Sequence, residues 1–151
     1  TRERSLNSLC DIVDQRSCAV YISGSYVSGK TNILHQIRQR YHKKRIVLKT
    51  DLIGLKGKEP YRACIRTFRI HFERLNPSLS QSLSQFIKDD NLERATEFII
   101  AEIGNGLLGT HFLWTIDEGH KLHEEDNNMK AHSRRYLSVI LTFQKKKSKN
   151  C

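Results

Sequence analysis

No apolar run in the 151 residues approaches the roughly 20 that a helix needs to cross a bilayer, so no stretch reads as a membrane span. The four cysteines, Cys10, Cys18, Cys64 and Cys151, make no C-x-x-C pair and no zinc spacing; they read as free thiols, which implies a reducing compartment. There is no internal repeat, and no linker-like stretch splits the chain. The only methionine is Met129 and the first residue is Thr1, so the sequence reads as an excerpt from a longer protein. Acid is in deficit, with 16 Asp and Glu against 26 Lys and Arg, a formal charge of +10. That excess favours polyanionic partners such as nucleic acid, or else forms a solvated basic surface.

What is present is the apolar content of one globular domain, 38% of residues. Leu6, Leu9, Cys10 and Val13 recur on one helical face. CAVYIS, 18–23, reads as a buried strand. Ile33, Leu34, Ile37 and Tyr41 return at helical spacing. RIVLKT, 45–50, reads as a second strand, followed by a turn-rich loop with Gly54 and Gly57. Pro60 suits the first turn of a long helix carrying Tyr61, Cys64, Ile65, Phe68, Phe72 and Leu75. Pro77 breaks that helix. Two more helical patterns follow, one with Leu79, Leu83, Phe86 and Ile87, the other from Leu92 to Ile103. HFLWTIDE, 111–118, reads as a central strand covered on both faces. Residues 136–143 fit either a strand or a helix. This order predicts an α/β domain with a parallel sheet, whose ligands bind at the carboxyl ends of the strands.

Two motifs carry chemistry, the loop at 24–31 and the acidic strand end FLWTIDE at 112–118. Residues 24–31, GSYVSGKT, match G-x-x-x-x-G-K-[ST] between a predicted strand and a predicted helix, the context a phosphate-binding loop requires. Glycines let such a loop curl its amides around phosphate oxygens, and the following helix adds its positive end. The expected phosphate contacts are Gly24, Ser25, Tyr26, Val27, Ser28, Gly29, Lys30 and Thr31, with Lys30 reaching the β and γ phosphates. Thr31 and Asp117 would hold Mg²⁺, and Glu118 would act as general base on the attacking water. The expected cofactors are therefore ATP and Mg²⁺. His120 and His123, three apart among acids, make a metal site conceivable, but a polar loop after the strand is the preferred reading. The cluster Arg38, Arg40, His42, Lys43, Lys44 and Arg45 complements a helix C-terminus and needs no function to explain it.

The two motifs together resemble the AAA+ P-loop ATPases. The details resemble the replication-initiator branch, typified by the large subunit of the origin recognition complex and its cell-division-cycle relative. RERSLNSLCDIV (2–13), VYISGSYVSGKT (20–31) and RIVLKTDLIGLKGKEPYRACI (45–65) carry the likeness. The loop has Tyr26, Val27 and Ser28 where that family usually has Pro-Gly-Thr. The resemblance implies an AAA+ nucleotide-binding domain over 1–144, without lid or winged-helix domain, followed by a basic, disordered tail at 145–151. It further implies nuclear location, DNA contact through a multi-subunit assembly with other AAA+ subunits, and ATPase activity once the missing elements and subunits are supplied. Gln144 or Thr142 would be the polar sensor. The alternatives are an AAA+ regulator of transposition or repair and a degenerate scaffold that does not hydrolyse ATP.

Overall fold

The computed structural model describes residues 2–15, 29–109, 112–118 and 122. In chain order these form α1 (Arg2–Gln15), α2 (Lys30–Tyr41), β1 (Ile46–Asp51), α3 (Glu59–Leu75), α4 (Pro77–Lys88), α5 (Leu92–Gly104) and β2 (Phe112–Asp117). The two strands pair in parallel, Ile46 opposite Phe112 through to Asp51 opposite Asp117. Parallel pairing requires a long crossover between the strands, which α3, α4 and α5 supply.

Local chemistry sets the helix boundaries. Pro60 occupies the first turn of α3, where a missing N–H costs nothing. Pro77 then opens α4, and the Asn76 side chain caps it by accepting from the Ser78 N–H at 3.2 Å. The Asn91 side chain does the same for α5, accepting from the Arg94 N–H at 3.2 Å.

Side chains of a strand alternate between faces, and here the two faces meet different layers. Ile46, Leu48, Phe112, Trp114 and Ile116 join the main core with α3, α4 and α5. Phe68 stands at its centre, fully buried, with edge-on contacts to Phe72, Phe112 and Trp114 at centroid distances of 6.3, 6.4 and 5.0 Å. Val47 and Leu113 point the other way, into a smaller cluster with Leu6, Leu9, Cys10, Ile37 and Tyr41 from α1 and α2. The Tyr41 hydroxyl crosses that cluster to donate to Asp14 Oδ1 at 2.7 Å.

A buried polar chain ties the main core together. Trp114 Nε1 donates to Thr50 Oγ1 at 2.9 Å, the Thr50 and Thr67 hydroxyls lie 2.7 Å apart, and Thr67 Oγ1 donates to the Ala63 carbonyl at 2.9 Å. The one proton assignment that satisfies all three bonds has Thr50 donating to Thr67.

The element positions from α1 to β2 follow the sequence periodicities, but the fold class does not. Helices hold 66% of the described residues, and the sheet is a minimal, open pair of strands. This overturns the multi-stranded parallel α/β core of a P-loop NTPase. The physical reason lies in where the apolar residues go: residues 59–104 form three consecutive helices, and those helices supply most of the main core. The expected strands at 18–23 and 136–143 lie outside the described residues, as do His120, His123 and the tail at 145–151.

Candidate functional site

The α2 face of the sheet changes character along its length. At its start it is apolar, with Val47 and Leu113. One alternation on, Lys49 stands opposite Thr115, and at the end Asp51 stands opposite Asp117. The strands therefore deliver apolar residues to the α1–α2 cluster and polar residues to their carboxyl ends. The N-terminus of α2 stands over those ends, and an open cleft of about 570 Å³ lies between. Gly29, Lys30, Thr31, Asn32, His35, Arg38, Lys49, Asp117 and Glu118 line it.

Gly29 is the N-cap of α2 at φ 78°, a left-handed conformation in which a side chain would be strained. Its carbonyl accepts the Ile33 N–H at 3.1 Å and so starts the helical ladder. Gly29 has no side chain with which to cap the first-turn amides, and that turn contains no acidic residue. The positive end of the helix dipole thus faces the cleft.

Asp117 is only 8% exposed. Its Oδ1 accepts the N–H of Glu118 at 3.0 Å, and its backbone carbonyl accepts the Leu52 N–H at 3.1 Å. Glu118 has φ 60°, uncommon for a residue with a long side chain. Asp51 Oδ1 accepts the Ile53 N–H at 2.9 Å, which turns the chain as it leaves β1. Arg38 lies under these groups, where its Nη1 donates to Thr115 Oγ1 at 2.9 Å. Burial lowers the proton affinity of its guanidinium, and the fields of Asp117 and Asp51 oppose that shift.

Of the residues singled out in the sequence, Gly29, Lys30, Thr31, Asp117 and Glu118 line this one cleft. Gly24, Ser25, Tyr26, Val27 and Ser28 lie outside the described residues. Sequence reasoning missed Asn32, His35, Arg38 and Lys49. Thr31, His35 and Arg38 are spaced i, i+4, i+7, a polar stripe on one face of α2 that could have revealed them. Lys49 shares the strand parity of Val47 and Asp51, which was equally legible. The basic cluster of which Arg38 was counted a part is divided by the fold. Arg38 turns into the cleft, Arg40 Nη1 donates to Asn7 Oδ1 at 2.9 Å, and Arg45 lies over the Tyr41 ring with Asp14 at 3.6 Å.

No family model matches this chain. No curated protein and no solved structure matches it either. These findings and the two-stranded sheet overturn the resemblance to AAA+ ATPases and replication initiators. The function drawn from that resemblance falls with it, because no P-loop nucleotide-binding architecture is evident around the strands. The descriptors AAA+, P-loop, Walker A and ATP-binding are likewise unsupported by so helical a structure. What stands is the geometry of the cleft.

Whether the residues present suit a magnesium ion can be judged from their donors. The Asp117 carboxylate and the Thr31 hydroxyl are hard oxygen donors of the kind the ion prefers. Among the described residues, however, no group of three His, Cys, Asp or Glu could hold a metal. One Asp117 oxygen is already engaged by an amide. The donor set does not suit a metal resident in the protein; an ion here would have to arrive with ligand oxygens and water completing its shell.

Proposed function

We propose that the cleft at the carboxyl ends of β1 and β2 binds a small phosphate-bearing ligand. One observation carries the reading: Lys30, Arg38 and Lys49, three basic side chains from a helix and a strand, converge with the open N-terminus of α2 on one cleft that contains two acids, Asp117 and Glu118. Cationic side chains with helix-end amides make an environment suited to phosphate oxygens. A volume of about 570 Å³ is that of a small-molecule site. Two acids among the bases favour a ligand that also brings hydrogen-bond donors, as a nucleoside phosphate does. ATP, pyrophosphate and inorganic phosphate are the probes of the first test. The proposal concerns binding and is independent of any ATPase family.

Thermal unfolding of the chain with and without ATP and Mg²⁺ tests it. A ligand at ~100 times its Kd stabilises by about 2.7 kcal/mol, a rise of several degrees in Tm. Lys30→Ala should abolish the rise, read against the variant's own ligand-free Tm. An unchanged Tm for the wild-type chain across ATP, pyrophosphate and inorganic phosphate would remove the reading.

A further inference from the structure

The two strands end in carboxylates that stand next to each other. Asp51 and Asp117 are cross-strand partners, and both belong to the α2 face by their parity with Val47 and Leu113. Like charges directly across a strand pair repel, and a carboxylate buried to the extent of Asp117 calls for a counter-charge. Phosphate sites commonly meet that demand with a divalent ion. In this cleft a side chain meets it. Arg38 lies a little over two turns along α2 from Lys30, and helical side chains lean toward the helix N-terminus, so its guanidinium reaches back to the strand ends. Thr115 holds it there by accepting from Nη1, and Thr115 is the residue two before Asp117 on the same face.

We infer that the cleft takes its phosphate ligand without a metal, because Arg38 is the resident cation of the Asp51–Asp117 pair. The inference deepens the phosphate-ligand reading above and rests on it. Lys30, Arg38 and Lys49 balance Asp117, Glu118 and the neighbouring Asp51 before any divalent ion enters. The guanidinium remains protonated at any physiological pH, so this cation is permanent. A metal would find one Asp117 oxygen already engaged by the Glu118 amide.

Calorimetric titration of the full chain with ATP, once in EDTA and once in excess Mg²⁺, tests the inference in the wild type, Arg38→Lys and Arg38→Gln. The wild-type Kd in EDTA should lie within about threefold of that in Mg²⁺, and Arg38→Lys, which keeps the charge, should lose less than Arg38→Gln. Removing the charge in Arg38→Gln should weaken binding in EDTA by about tenfold or more, with most of the loss recovered when Mg²⁺ supplies the missing cation. Circular dichroism of Arg38→Gln checks that its helices persist. Wild-type binding that occurs only with Mg²⁺ overturns the inference and leaves the phosphate reading standing. An equal loss for Arg38→Gln in both buffers also overturns it, because Arg38 would then be an ordinary ligand contact. Absence of heat in every titration sinks the phosphate reading and this inference together.

Discussion

The two faces of the β1–β2 pair divide the labour of this chain. The α3 face is apolar along most of its length: Ile46, Leu48, Phe112, Trp114 and Ile116 pack with three helices, and the hydroxyls of Thr50 and Thr67 and the Trp114 N–H are joined in one hydrogen-bonded chain. The α2 face is dry only at its start and turns to Lys49, Thr115, Asp51 and Asp117 at its end. The positive φ of Glu118 lies at that polar end as well. The contrast teaches that two short strands can serve stability on one side and present charge on the other. A one-residue shift of register would exchange the two roles.

The comparison breaks most readily at Phe68. Replacing this fully buried ring with alanine removes its contacts with Phe112 and Trp114 of β2 and with Phe72, at a cost of about 3–5 kcal/mol. Urea unfolding followed by circular dichroism measures it. Ile37→Val, in the α1–α2 cluster, should cost only about 0.5–1.5 kcal/mol. Similar losses from the two variants would mean that stability is shared between the faces and that the α3 side holds no privileged core.

The hydroxyl chain sharpens the same contrast at a smaller scale. Thr67→Val takes away the acceptor of the Thr50 hydroxyl inside a dry core, which should cost about 1–3 kcal/mol. The double variant Thr50→Val with Thr67→Val should cost less than the two single changes added, since each single change orphans the other's partner. Strict additivity in chemical denaturation would show that the hydroxyls act independently and do not form a relay from β2 through β1 to α3.

Much of this fold was legible in the sequence where one element writes its own pattern. Tyr61, Cys64, Ile65, Phe68 and Phe72 announce α3 because they share one buried stripe. FLWTID announces a strand, and β2 is one, but as half of a two-stranded pair it is not central and four of its six residues are only partly buried. The number of strands in the sheet was not legible, because hydrogen-bond partners distant in sequence leave no local periodicity. The expected parallel core was built from the order of strands read at 18–23, 45–50 and 111–118, and among the described residues the observed sheet is the pair β1–β2. In the cleft, the turn at Gly29–Thr31 and the acid at Asp117 were legible as residue types in an expected context. Arg38 was not, because a basic residue near a helix C-terminus has a sufficient local explanation in the dipole. Only the tertiary placement of β2 beside α2 turns it into a cation for carboxylates 13 or more positions away.

The smallest effect expected concerns the rim of the α3 side, where charge also occurs but ties helices together and lines no cleft. Arg62 binds Glu59 Oε1 at 2.6 Å and Asp90 Oδ1 at 2.7 Å, and Lys58 binds Asp90 Oδ2 at 3.0 Å. Hydrogen bonds from Arg62, then from Lys58, hold the Asp90 carboxyl below its usual range; Arg62, with Arg66 further off, does the same for Glu59. Both folded values are depressed, so the stabilisation is complete above the unfolded values, about 3.9 for Asp and 4.3 for Glu. It is lost as pH falls through the lower folded values, when the folded state must take up protons it resists. The partners are roughly 40% exposed and screened by salt, which limits the whole contribution to about 1 kcal/mol or less. Asp90→Asn is a clean probe because Asp90 has φ 55°, a conformation that asparagine also tolerates. The variant should lose a fraction of a kcal/mol at pH 7 and show a flatter fall in stability between pH 5 and pH 3, a difference that ~0.5 M NaCl should shrink. If the wild type and Asp90→Asn fall in parallel over that range, the rim ties carry no acid sensitivity, and the only consequential charge beside the sheet is then on the α2 side.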